Sequence, residues 1–244
     1  MTEIAARYRA VRERINRAAE RAGREPDEVT LVAVTKTWPV EVVLAAYEAG
    51  LRHFGENRAE ELAQKQTAVS AQLGPDSGVV WHQIGTLQSR KTRLAADHAD
   101  WFHALDRPKI ARRLSKRLTE NGRFLPVLLE VNVSGEATKS GFLADRWETD
   151  SQQQAQLCKL VEEVMALPGL SLCGLMTMAP WQVSEMEIRQ VFRRTRELAR
   201  WLETAVSGLH LPYLSMGMTD DFEIAIEEGA THIRVGRALF GPRV

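Results

Sequence analysis

Thr30-Leu31-Val32-Ala33-Val34-Thr35-Lys36-Thr37 is short, β-branched and nearly continuous in apolar residues. That is the pattern of a strand covered on both faces, as in parallel sheets sheathed by helices. Pro39 follows as a suitable first helical residue. Val40, Val43, Leu44 and Tyr47 then share one helix face, and Gly50 suits the C-terminal cap. The unit strand-then-helix is therefore set by residue 50.

The same unit recurs downstream. Arg52–Gly55, Val79–Gly85, Trp101–Asp106, Phe124–Ser134, Leu170–Met178, Tyr213–Met218 and Thr231–Val235 read as strands. Helical patterns separate them, beginning near Asn57, over Gln88–His98, over the basic run Arg107–Arg117, around Leu157 to Val164, over Ile188–Leu202 and over Asp221–Glu228. Before all of these, Ile4, Tyr8, Val11 and Ile15 recur at helical spacing and Gly23 stops the run. Strict alternation at about eight strands predicts a closed (β/α)8 TIM barrel with an extra N-terminal helix. An open doubly wound sheet is the alternative. No linker interrupts the pattern, so residues 1–244 read as a single barrel domain. Gly135 to Gln154 is the least regular segment and reads as a long loop placed to act as a lid.

Composition narrows the class. Lys+Arg and Asp+Glu both total 32, so the formal net charge is zero. Such a balance gives no electrostatic case for nucleic acid or an anionic membrane. The basic run reads as the solvated face of an amphipathic helix, because Ile110 and Leu114 lie four apart within it. Cys158 and Cys173 have neither metal-ligand spacing nor a disulfide pattern. Without an apolar signal core or a run approaching the ~20 residues of a membrane span, the chain reads as a cytoplasmic protein.

Barrel chemistry sits at the C-terminal ends of the strands. Lys36 ends the first strand, and a lysine in an apolar barrel mouth tends toward the neutral amine that a Schiff base with an aldehyde requires. The plainer reading is a strand-end lysine whose stem reaches water. Ser215-Met216-Gly217-Met218-Thr219 precedes a helix start and could offer backbone N–H groups to a phosphate, with Arg234-Val235-Gly236 completing a cup. Thr219 or Asp220 could equally be an ordinary helix cap. Asn57 fits an N-cap or a ligand contact, His82 a structural histidine, and Met176 barrel lining. No catalytic triad or metal site emerges.

Several motifs in order resemble the pyridoxal phosphate homeostasis proteins, the YggS/PROSC group. They are Ala33–Thr37, Phe54-Gly55-Glu56-Asn57, Trp81–Gly85, Leu87-Gln88-Ser89, Lys139-Ser140-Gly141, Gly174-Leu175-Met176, Leu214–Asp221 and Ile233–Gly236. The group's barrel is similar to the N-terminal domain of alanine racemase. The resemblance implies a protein that holds pyridoxal 5′-phosphate (PLP) as a Schiff base on Lys36 and serves vitamin B6 and amino-acid homeostasis. It places Asn57 beside the cofactor ring and His82 and Met176 along the pocket. It assigns Ser215, Gly217, Met218 and Thr219 to the phosphate turn, Arg234 to the pyridine nitrogen and Gly236 to a backbone contact with the phosphate. Thr35, Thr219, Thr86 and Arg90 depart from the group's usual residues, and Leu143–Gln154 is longer than usual.

The same resemblance bears on catalysis. A guanidinium facing the ring nitrogen leaves it unprotonated and a weaker electron sink. Racemisation also needs a second base, which alanine racemase takes from a tyrosine in another domain. Tyr8 and Tyr47 fall on helices here, and Tyr213 starts its strand, at the far end of a barrel. The expectation is a monomeric carrier without efficient catalysis, with PLP-dependent apo-enzymes as candidate recipients. The alternatives are a PLP-dependent amino-acid racemase or lyase, with His82 as candidate base, and a Schiff-base aldolase.

Overall fold

The computed structural model describes residues 3–242. It opens with helix α1 (Glu3–Arg21) and continues through β1 (Thr30–Val34), α2 (Val40–Glu48), β2 (His53–Glu56), α3 (Ala59–Leu73), β3 (Val80–Gln83), α4 (Thr92–His98) and β4 (Trp101–Leu105). Then come α5 (Pro108–Asn121), β5 (Leu125–Asn132), β6 (Phe142–Leu143), α6 (Ser151–Met165), β7 (Leu170–Met176), α7 (Glu185–Ala205), β8 (Tyr213–Ser215), α8 (Phe222–Glu227), β9 (His232–Val235) and α9 (Arg237–Phe240). The ladder runs β4-β3-β2-β1-β9-β8-β7-β5, and a β4–β5 pairing closes it into a ring of eight parallel strands. The chain thus forms the (β/α)8 barrel with an added N-terminal helix. The remaining strand, β6, pairs with β5 outside the ring.

Side-chain alternation sorts two cores. Leu31 and Ala33 of β1 join the large apolar layer between strands and helices, while Val32 and Val34 pack with Ile84 in a separate inner cluster. The outer layer is conventional. On α5, for example, Ile110, Ala111, Leu114 and Leu118 are buried while Arg112 and Arg113 face water, so the basic run is indeed a solvated face. Barrel lumens are usually filled by bulky branched residues. Here the filling is aromatic and polar. His82 of β3 lies 6.1 Å, ring to ring, from His232 of β9 across the lumen, and Trp101 packs edge-on against Tyr213 at 5.1 Å.

Strand ends differ from the sequence expectation by up to three residues, as at β1 and β8. Strand β8 stops at Ser215, with Met216 N–H still donating to His232 O of β9 before Gly217 turns the chain at φ +93°. The short β6 and α9 have no counterpart in the sequence reading. The segment expected to act as a lid is tied to the barrel by side-chain bonds. Arg194 donates to Val133 O at 2.6 Å and Asp145 O at 2.7 Å and pairs with Glu148. Lys139 donates to Ser134 Oγ and Met178 O.

Candidate functional site

The C-terminal ends of the strands open into a cavity of about 580 Å³. Lys36 reaches it by strand parity, continuing the inward series Val32, Val34. Its neighbours are held from behind. Thr35 is fully buried and donates to Glu56 Oε1 at 2.6 Å, and Lys65 Nζ donates to Thr35 O, Glu56 Oε1 and Glu61 Oε1, each at 2.7 Å. Glu61 also accepts Thr37 N–H at 2.6 Å, where Thr37 takes the left-handed φ of +70°. The lysine is therefore bracketed by two anchored residues. Burial pushes the Glu56 carboxyl upward, and its bonds from Lys65 and Thr35 pull it back.

Arg234 lies in the same cavity wall, 5% exposed. Its guanidinium donates to Ser215 O at 2.8 Å, Ser215 Oγ at 2.6 Å and Thr177 O at 3.0 Å. Burial lowers its pKa to about 10, with Asp221 and Glu130 opposing the shift, so it stays cationic near neutrality. Three fixed bonds leave it little freedom to swing.

Met218, Thr219 and Gly236 line the cavity where β8 and β9 end. Gly217 supports this turn from beneath, since an added Cβ would lie 2.6 Å from Ala225 Cβ and 2.9 Å from Phe222 Cα. Met218 N–H is taken by Asp221 Oδ1 at 2.5 Å. The backbone N–H groups of Thr219, Gly236 and Arg237 meet no acceptor among the described residues, and all three residues face the cavity. Converging backbone donors beside an arginine form a suitable nest for a phosphate. Arg237 is ion-paired with Asp220 at its edge. Asn57 and Met176 also line the cavity, and the Asn57 backbone is pressed against Gly85, where a Cβ would fall 2.6 Å from Asn57 O.

Not every residue named from the sequence reaches the cavity. His82 is wholly buried one layer deeper, and Ile84, two residues on, takes the cavity position. Its Nε2 lies 3.0 Å from His53 Nδ1 and its Nδ1 lies 2.9 Å from His103 Nε2. His103 Nδ1 in turn lies 2.8 Å from Ser215 Oγ. Ser215 is likewise fully buried and ties this histidine row to Arg234. Burial drives His82 and His103 well below the ordinary histidine range and His232 to about 3, so these rings stay neutral. Glu130, Trp38 and Trp181 line the cavity without having been singled out from the sequence. For Glu130 the available signal is parity, since it stands two residues before Asn132, the last residue of β5. Asn132 itself serves the adjoining loop, accepting from Ser134 Oγ and Gly135 N–H.

Comparison with known proteins places this arrangement. The family model described as the alanine racemase N-terminal domain matches residues 7–244. A pyridoxal phosphate homeostasis protein of Pseudomonas aeruginosa is 44% identical over 243 residues, covering 100% of this chain and 97% of its own. PipY of Synechococcus elongatus, 35% identical, superposes with a TM-score of 0.83 without PLP and 0.80 with PLP bound, covering 98% of this chain and 100% of its own. Identity at this level along the whole barrel, with the lysine-and-arginine cavity at its mouth, settles the family: the chain belongs to the pyridoxal phosphate homeostasis proteins, whose barrel is that of the alanine racemase N-terminal domain.

Proposed function

We propose that the chain is a PLP-binding protein of vitamin B6 and amino-acid homeostasis that holds the cofactor covalently through Lys36. The observation that carries this reading is the pairing of Lys36 and Arg234 in one cavity, with the backbone donors of Thr219, Gly236 and Arg237 beside them. An amine for the aldehyde, a nest for the phosphate and a fixed cation in the same cavity fit the three ends of that cofactor. When bound, PLP supplies an aldehyde that condenses with amines and a ring that withdraws electrons.

The chain's own residues bias that chemistry toward storage. Arg234 stays a cation, with Asp221 and Glu130 opposing the effect of burial, is fixed in place by its bonds to Ser215 and Thr177, and presents N–H donors with no acceptor capacity. A ring nitrogen facing it would receive no proton. Asn57 and Met176 line the cavity where they would bound the ring's flanks, and Lys36 is presented from an anchored strand end. His82, the candidate second base, lies outside the cavity lining, and Tyr213 is packed against Trp101 and His232 within the lumen. These placements support a carrier over a racemase, with PLP-dependent apo-enzymes as recipients. No described helix is long and apolar enough to cross a membrane.

The test is a visible spectrum of the purified protein before and after borohydride, followed by peptide mapping. The expected result is a cofactor band in wild type, fixed to Lys36 on reduction and absent from Lys36→Ala. A wild type that stays colourless with added PLP overturns the reading.

A further inference from the structure

Glu130 is a charged group of the cavity wall that the proposed function leaves unused. It is 2% exposed, and its Oε2 is buried with no hydrogen-bond partner among the described residues. Buried carboxylates are normally satisfied by the fold. This one is aimed into the same cavity as Lys36 and Arg234.

The surrounding charges are few and can be named. Asp106 approaches from the end of β4, Arg107 from the start of α5 and Arg234 from β9, while Lys36 shares the cavity from β1. Asp220 and Arg237 pair with each other at the rim. From β7 the neighbour is Met176, which does not titrate. The loop before β6 presses Gly141 against Glu130, where a Cβ would fall 2.8 Å from Glu130 O and 3.1 Å from its Cγ. The cation of that loop, Lys139, is engaged by Ser134, Met178 and Glu136. Glu130 thus has no direct counter-ion of its own, and Asp106 repels its charged form. A phosphorylated pyridoxal brings further negative charge, on its phosphate and on its ionised ring oxygen. A carboxylate left bare beside that ligand would repel it, whereas a carboxyl O–H would donate to it.

We propose that Glu130 is a ligand-contact residue of this pocket that takes up one proton from solvent as the ligand enters and donates it, as a hydrogen bond, to an anionic oxygen of the ligand. The inference rests on the PLP reading above. Burial, with Asp106 adding to it, raises the Glu130 carboxyl to about 7 in the empty pocket, so the proton is available near neutrality. Binding then weakens as pH rises through that value, because the carboxylate must first be neutralised.

The probe is pyridoxine 5′-phosphate, which has an alcohol in place of the aldehyde and cannot bond covalently to Lys36. Cofactor-free full-length protein is titrated calorimetrically at pH 7 in two buffers of different ionisation enthalpy, and Kd is followed from pH 6 to pH 8. Wild type is expected to take up about half a proton more than Glu130→Gln at pH 7, since a group titrating there is half ionised. Its Kd should weaken by about tenfold more than the variant's between pH 6 and pH 8. Ionisation of the probe's own phosphate is common to both proteins and cancels in the comparison. Equal uptake and parallel pH profiles overturn the proposal. If Glu130→Gln does not fold, Glu130→Met serves as the charge-free reference in the same comparison, and equal uptake by wild type and that variant overturns the proposal. A wild type that binds neither this probe nor PLP fails at the earlier step and sinks the cofactor reading with it.

Discussion

Replacing Lys65 by methionine tests how Lys36 is held. The Lys65 side chain is 5% exposed and donates three bonds, and its counter-ion Glu56 is fully buried. Removing one member of such a pair leaves an uncompensated buried charge, at a cost of about 3–5 kcal/mol. Glu56 has one escape, which is to fold protonated. Holding a carboxyl with an ordinary value near 4.5 neutral at pH 7.5 costs about 4 kcal/mol, which agrees with that range and caps it. At pH 5 the same escape costs only about 1 kcal/mol. A carboxyl whose folded-state pKa is raised contributes least above that pKa and most below its unfolded value, so the deficit must shrink on acidification. Urea unfolding of Lys65→Met should show a loss of about 4 kcal/mol at pH 7.5, equivalent to a Tm lower by roughly 8 °C for this length, and about 1 kcal/mol at pH 5. Adding Glu56→Gln should recover most of the pH 7.5 loss. A deficit below about 1 kcal/mol at pH 7.5, or one independent of pH, would refute the argument that this pair is desolvated and coupled.

Acid should loosen the barrel through its lumen. His82, His103 and His232 are held below their unfolded value, so stability is lost as pH falls beneath about 6.5, and His232 alone costs about 2 kcal/mol at pH 5. Glu130 runs the other way and regains about 2 kcal/mol over the same interval, so Glu130→Gln should unfold more steeply with acid than wild type, and a wild-type urea midpoint that rises from pH 7.5 to pH 5 would contradict the assignment. Gly217→Ala should lose about 2–4 kcal/mol, from a φ of +93° and a Cβ set 2.6 Å from Ala225, and its PLP affinity should fall with the displaced turn, whereas unchanged melting and cofactor titration would show that the turn relaxes freely.

The barrel was legible because its signal is local. Each strand announces itself within eight residues, and parity along Val32, Val34 and Lys36 already points the lysine inward. The turns after β8 and β9 were legible for a similar reason, since Gly217 and Gly236 stand where a side chain would be obstructed or crowded. The lumen was not legible. His53, His82, His103 and His232 sit on four strands spread over most of the chain, and only ring closure brings them together. His82 carried a motif and so drew a pocket role, yet it lies one inward position too deep. Lys65 and Glu61 read as ordinary solvated charges on an amphipathic helix. Nothing in their spacing reveals that they close on the backbone of β1 and of Thr37. Glu130 hid inside a strand whose neighbours are almost all apolar.

The histidine row has a sense of direction. Arg234 can only give hydrogens, so Ser215 Oγ receives one, and the hydroxyl's own hydrogen has His103 Nδ1 as its acceptor. A neutral His103 then carries its hydrogen on Nε2 and hands it to His82, which does the same to His53. In this order every link is both giver and receiver. Reversing one ring would set two donors or two acceptors face to face, so the rings reverse together or not at all. Three side chains on three strands therefore behave as a single two-position element, and the guanidinium at the cavity floor chooses its position.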